Sequence, residues 1–285
     1  MFSKERSKII YLTFDDGVEA GTEEVLKVLR RQQVNATFFL TGVNTLYSIK
    51  RNKKKAFAVL KEITEQHTAA NHSFSHANGF YSSYYSKGVL INNEGGRMTV
   101  LEDFLKNAQF FKNTLAGDPL FYLDHLARLP GRNSALPFTW LDTEADETTL
   151  VEDDATDTRT ALRANGYILL GWNEEWKMDY NITNRIMKEK QLIIEKGGMD
   201  YTDSKLLYPD FTSYGLKYSG EERLTERWFV LANRIMAKAA TNHVVLLMHD
   251  RAFRPGDGKK AQADLELLIM YLKKNGFTFK TPPIV

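Results

Sequence analysis

The stretch Ile9-Ile10-Tyr11-Leu12-Thr13-Phe14-Asp15-Asp16-Gly17 sets β-branched and aromatic residues in one unbroken run, then stops it with two carboxylates and a glycine. Such a run reads as a short buried strand closed by a turn. Outward from it, Val25, Leu26 and Leu29 recur at helical spacing, and Ala36-Thr37-Phe38-Phe39-Leu40 forms a second apolar run ending at Gly42. Phe57, Leu60 and Ile63 mark another helix. Leu101, Phe104, Leu105, Ala108, Phe111 and Leu115 give the clearest helical stripe. Further on come a strand at Tyr167-Ile168-Leu169-Leu170, a helix from Ile182 to Ile194, a helix through Leu224, Trp228, Leu231, Ile235 and Met236, a strand at Val244-Val245-Leu246-Leu247-Met248, and a helix carrying Leu265, Leu268, Ile269 and Leu272. Strands alternating with helices predict a parallel sheet covered by helices.

No repeat, low-complexity tract or long linker interrupts this order, so residues 1–285 read as one domain. Two aromatic, irregular stretches, near 80–88 and 197–222, are expected to be loops. The acidic run from Asp142 to Asp157 reads as a solvated loop or helix start, and Lys53-Lys54-Lys55 as a solvated helix end.

Composition narrows the function classes. A formal net charge of +2 lacks the basic footprint of a nucleic-acid binder. With no cysteine, thiolate metal sites, disulfides and cysteine nucleophiles are all excluded, so any metal must be held by histidine and carboxylate. No apolar stretch reaches the length of a membrane span. Met1-Phe2-Ser3-Lys4-Glu5-Arg6 runs straight into the first strand without the apolar segment of a signal peptide; either the protein stays inside the cell or a leader has been trimmed.

In α/β sheets, ligands sit beyond the carboxyl ends of the strands, so polar residues just after apolar runs are site candidates. Asp15-Asp16, Arg128 to Arg132, Trp172 to Trp176 and His249-Asp250 stand in such places, with Asn71-His72-Ser73-Phe74-Ser75-His76 beside them. His72 and His76 are four apart, so one helical turn or a tight loop would put both imidazoles on one face. Two adjacent carboxylates at a strand end are costly unless a cation or a proton neutralises one of them.

Together these residues resemble the polysaccharide deacetylases, the family-4 carbohydrate esterases that share the nodulation-type deacetylase domain. Thr13-Phe14-Asp15-Asp16-Gly17 is similar to the family's first motif, His72-Ser73-Phe74-Ser75-His76 to the second, Arg128-Leu129-Pro130-Gly131 to the third and Leu247-Met248-His249 to the fifth. Trp172-Asn173-Glu174-Glu175-Trp176 stands where the fourth belongs, but is shorter than usual and ends Glu-Trp in place of Asp-Trp. The resemblance implies a distorted (β/α) barrel with about seven parallel strands rather than the usual eight. It implies that Asp16, His72 and His76 ligate a divalent metal, most often zinc, with cobalt, nickel or another first-row ion also accommodated. Asp15 is then the general base, Arg128 the cation that orients it, and His249 the acid serving the leaving amine. Glu175 is the expected partner of His249, with Asp179 as the other candidate; Pro130, Trp172, Trp176 and Leu247 are expected to line the substrate site. The implied reaction is hydrolysis of the N-acetyl group of an amino sugar in a glycan. Alternatives are an O-acetyl esterase acting on xylan or another glycan, and an inactive carbohydrate-binding relative. Family membership implies a periplasmic or secreted protein, with a cytoplasmic one left open by the missing leader.

Overall fold

The computed structural model describes residues 8–79, 81–90, 95–115, 123, 125–136, 153–178, 224–239, 243–256 and 258–282. Its centre is β1 (Lys8–Asp15), the run quoted above. In chain order there follow α1 (Thr22–Gln32), β2 (Thr37–Leu40), α2 (Gly42–Arg51), α3 (Lys53–Gln66), β3 (Thr68–Asn71), α4 (Tyr81–Lys87), β4 (Val89–Leu90), β5 (Arg97–Met98) and α5 (Val100–Thr114). Then come β6 (Leu126–Ala127), α6 (Thr156–Ala164), β7 (Ile168–Leu169), β8 (Glu174–Glu175), α7 (Trp228–Ala239), β9 (Val244–His249), α8 (Lys259–Lys274) and β10 (Phe277–Phe279). Seven strands lie parallel in the order β7-β6-β3-β2-β1-β9-β8, and β10 joins beside the first half of β1. Strands β4 and β5 form a separate antiparallel pair.

The sheet is curled. Arg128, just after β6, donates to Asp15 at the end of β1 at 2.8 Å, although β3 and β2 lie between them. In a flat sheet three strand spacings of about 4.8 Å would separate those chains, farther than an arginine side chain reaches. Only a sheet bent into a partial barrel closes that gap, and the two ends of the path, β7 and β8, are successive in the chain. This is the distorted barrel that the motifs imply.

Strand periodicity sorts the side chains into two layers. Ile10, Leu12 and Phe14 of β1, Phe38 and Leu40 of β2, and Val244, Leu246 and Met248 of β9 face outward into the main core, against Leu26 and Leu29 of α1 and Leu265, Leu268 and Leu272 of α8. Ile9 and Tyr11, Phe39 and Val245 alternate with them and fill the barrel interior with Ala70, Leu126 and Leu170. A third cluster packs Tyr84 of α4 and Phe104 of α5 against Leu162 of α6 and Leu169 of β7. Helix α5 opens with a reciprocal cap in which Thr99 and Glu102 satisfy each other's backbone N–H groups.

Several expectations need correction. Tyr81–Lys87, expected to be irregular, is helix α4, because Tyr84 buries its ring and donates to Asp103 while Tyr85 donates to the Pro130 carbonyl. The described end of the acidic run is, as expected, an exposed helix start: α6 begins at Thr156, with Asp153 paired to Arg159 and Asp154 to Arg132. Leu105, part of the helical stripe, is 45% exposed; the buried face of α5 instead carries Asp103 and Asn107 beside Val100, Phe104 and Phe111. The helix over Ile182 to Ile194, the loop at 197–222 and Asp179 lie outside the described residues. Lys53 to Lys55 do open a helix as exposed residues.

Phe38 is fully buried and stacks on Phe14 with ring centroids 5.3 Å apart. Truncating it should therefore leave a cavity directly under the first motif. Phe38→Ala is expected to lower unfolding stability by about 3–5 kcal/mol, read from urea denaturation.

Candidate active site

Four of the candidate residues stand at or just beyond the carboxyl ends of strands, and side-chain parity decides which face they join. Thr13 and Asp15 continue the inward row of Ile9 and Tyr11, and His249 continues that of Val245 and Leu247 in the strand that pairs Asp15 with His249. Arg128 follows the inward Leu126 by two residues, and His72 follows the inward Ala70 by two. Asp15, His72, Arg128 and His249 are thus delivered to one mouth of the barrel by four strands.

Arg128 is 1% exposed and makes four hydrogen bonds. Its Nη1 donates to Asp15 Oδ1 at 2.8 Å and to Thr13 Oγ1 at 2.8 Å, its Nε to the Leu170 carbonyl at 3.0 Å and its Nη2 to the Gly171 carbonyl at 3.0 Å. The guanidinium lies over the Phe39 ring at 4.1 Å and near Trp172 at 5.5 Å.

Asp16 turns the other way. Its backbone is left-handed (φ 78°), and its carbonyl accepts from Asn44 Nδ2 at 2.6 Å and from Thr41 Oγ1 at 3.3 Å, both at the start of α2. The next residue must be small: a Cβ on Gly17 would lie 2.6 Å from Asp250 Oδ2. The Asp16 carboxylate then meets the histidine loop, with Oδ1 3.0 Å from His76 Nε2 and 3.5 Å from His72 Nε2. His72 Nε2 is also 3.5 Å from Asp15 Oδ2.

One ligand-type atom from each of Asp16, His72 and His76 falls within 4.8 Å of the other two. Two further details fit a cation. Asp16 Oδ1 is buried, shut off from water and turned to the two imidazoles. His72 Nδ1 lies 2.8 Å from the Arg128 carbonyl, which can only accept, so the proton sits on Nδ1 and Nε2 keeps its lone pair toward Asp16. Burial pulls the His72 pKa down to about 4, against the opposing pull of Asp15, so this imidazole is neutral at physiological pH. Burial also disfavours charge on His76, but the Asp16 carboxylate outweighs it and raises that pKa. Asp16 itself is pushed up by burial and held well below the usual carboxylate range by His76, His249 and His72.

The remaining candidates divide. Glu175 faces Leu247 in register, on the inward face two residues short of His249. Its neighbour Trp176 corrects the expectation of a pocket wall: it points outward, is fully buried against Phe253, and donates its indole N–H to the Glu226 carbonyl. Trp172 packs beside the inner-barrel cluster, next to Arg128. Leu247 is buried within β9, and Pro130 is buried with its carbonyl taken by Tyr85. Asp250 emerges as a further buried carboxyl group. Burial and the neighbouring Glu19, Asp16 and Asp15 charges lift its pKa well above the ordinary range, although Thr22 donates to it.

The family model described as "Polysaccharide deacetylase" matches residues 3–123, a stretch holding Asp15, Asp16, His72 and His76. A peptidoglycan-N-acetylglucosamine deacetylase of Bacillus cereus is 27% identical over 135 residues, which cover 47% of this chain and 42% of that protein. A chitin disaccharide deacetylase of Vibrio alginolyticus is 25% identical over 216 residues, covering 59% of this chain and 47% of that one. The matched region thus spans less than half the length of these curated relatives. Among solved structures, the catalytic domain of a peptidoglycan N-acetylglucosamine deacetylase from Eubacterium rectale superposes with a TM-score of 0.55 at 19% identity. That match covers 99% of this chain and 91% of that one, and it shows the shared fold.

Removing Arg128 while keeping Asp15 should expose the cost of the unpaired charge. Arg128→Met is expected to destabilise the protein by about 3–5 kcal/mol, and adding Asp15→Asn in the same chain should restore part of that loss in urea denaturation.

Proposed function

We propose, from the match of residues 3–123 to the polysaccharide deacetylase family model, that the protein hydrolyses the N-acetyl group of an N-acetylglucosamine-type residue in a glycan, releasing acetate. The observation that carries this reading is the side-by-side arrangement of an arginine-held carboxylate, Asp15, and a three-ligand cluster, Asp16, His72 and His76. Neighbouring carboxylates in distinct environments take distinct roles.

Asp16, His72 and His76 would hold a divalent cation. Two imidazoles and a carboxylate suit zinc, and softness alone also admits cobalt or nickel. When bound, such a cation lowers the pKa of a water molecule and polarises the acyl carbonyl. The protein's own residues account for the proton traffic. Asp15, fixed by Arg128 and unable to rotate away from it, is the base that takes the proton of the attacking water. His249, on the same inward face in the neighbouring strand, is the acid that gives a proton to the departing amine. Glu175 is the inward carboxylate of β8, in register with Leu247, and would be the carboxylate partner of His249.

The named activities of the relatives, on peptidoglycan N-acetylglucosamine and on chitin disaccharide, support N-deacetylation over O-deacetylation. A peptidoglycan-type substrate would place the protein outside the cytoplasmic membrane. No helix among the described residues is long and apolar enough to cross it.

Asp15→Asn is expected to retain bound cation and to lose turnover by roughly 100- to 10,000-fold; undiminished acetate release would put the base elsewhere. Assayed side by side, N-acetylated chitooligosaccharides should release acetate and acetylated xylan should not. The converse pattern would make the protein an O-acetyl esterase. Because His76 must give up its proton to bind a cation, and its pKa lies above the usual histidine value, cation affinity should fall as the pH drops below that raised pKa. Titration calorimetry across pH 5 to 8, roughly the range over which histidines change charge, would measure this.

A further inference from the structure

The two histidines of the cluster sit on a loop that its own sequence does not favour. Ser73 (φ 66°), His76 (φ 51°) and Ala77 (φ 55°) all adopt left-handed backbone, and none is glycine. Residues in such conformations persist only where surrounding groups over-determine them. Here the surrounding groups belong to α5. The Asp103 carbonyl accepts from the Phe74 N–H at 3.2 Å. The Asp103 carboxylate accepts from the Ser75 N–H at 3.2 Å, from Ser75 Oγ at 2.7 Å and from the Tyr84 hydroxyl of α4 at 3.0 Å. One turn later, Asn107 Nδ2 donates to Asn71 Oδ1 at 2.9 Å and to the Leu40 carbonyl at 2.9 Å. Asn71 Oδ1 in turn accepts from the Ser73 N–H at 2.9 Å, and Asn71 Nδ2 returns to the Phe104 carbonyl at 2.9 Å. The loop closes on itself where the His76 N–H donates to Ser73 Oγ at 3.1 Å.

We propose that Asp103 is a positioning residue of the active site, holding the Ser73–His76 turn in the one conformation that aims both imidazoles at Asp16. The proposal rests on reading Asp16, His72 and His76 as a cation site. Asp103 and Asn107 are both fully buried, on the helix face otherwise filled by Val100, Phe104 and Phe111. A helix that only packed would carry apolar residues there, since burying a carboxylate is costly. A carboxylate suits this location: it only accepts, the Ser75 N–H can only donate, and both the Ser75 and Tyr84 hydroxyls donate to it. An amide of the same shape would turn one acceptor into a donor facing another donor.

That isosteric change supplies the test. Cobalt(II) binding is measured by titration calorimetry and by the visible absorption of the bound ion. The wild-type protein and Asp103→Asn are compared at a temperature where circular dichroism shows both metal-free proteins folded. Asp103→Asn is expected to weaken cobalt affinity by roughly 10- to 100-fold and to alter the absorption bands, a change that loss of packing alone would not produce. Tyr84→Phe, which removes one donor and keeps the carboxylate, should give a smaller loss in the same direction; it carries the test if Asp103→Asn does not fold. Wild-type affinity and an unchanged spectrum in either folded variant would overturn the positioning role while leaving the cation site intact. A wild-type protein that binds no cobalt would overturn the cation-site reading, and the positioning role with it.

Discussion

Two carboxylates that follow each other in the chain cannot both stay ionised at the buried end of a strand unless each meets positive charge or a proton. The structure answers for Asp15 and Asp16 separately. Strand parity sends Asp15 inward, where Arg128 reaches it from β6 across the curled sheet at 2.8 Å. A left-handed backbone at Asp16 breaks that parity and turns the second carboxylate onto two imidazoles. The same arginine spans β1 and the end of β7 through Thr13, Leu170 and Gly171. A single side chain therefore both pairs with Asp15 and bridges the curled sheet.

The division also separates chemical roles. A carboxylate pinned to a guanidinium keeps its place, which suits proton abstraction. One whose buried Oδ1 is turned to two imidazole nitrogens suits a cation. The Nδ1–H of His72 is spent on the Arg128 carbonyl, so Arg128 orders both halves: its side chain holds Asp15 and its backbone sets the tautomer of His72.

Much of this was legible in the residues themselves. Apolar runs at residues 9–14 and 244–248 and the polar groups that end them predicted the strands and the site end of the sheet, and β1 and β9 lie in those places. What escaped was whatever depends on contacts between distant segments. The stripe on α5 was read from apolar residues alone, so Leu105 was counted in and Asp103 and Asn107 were passed over. A buried polar residue looks like a surface one until its partners on another element are known. Tyr81 to Tyr85 read as a loop because its serines and tyrosines have modest helix propensity, and the helix is secured by tertiary contacts of Tyr84 and Tyr85. For Trp176 a parity count from Glu175 settles the matter: if the carboxylate faces inward, the indole faces the outer core, where it lies.

The most direct measurement of the central claim is a crystal structure of the protein grown with zinc, with anomalous diffraction recorded on both sides of the zinc absorption edge. The account predicts one strong anomalous peak between Asp16, His72 and His76, absent from crystals of His72→Ala, with Asp15 still joined to Arg128. A wild-type map with no peak there, or with its peak at other residues, would contradict it.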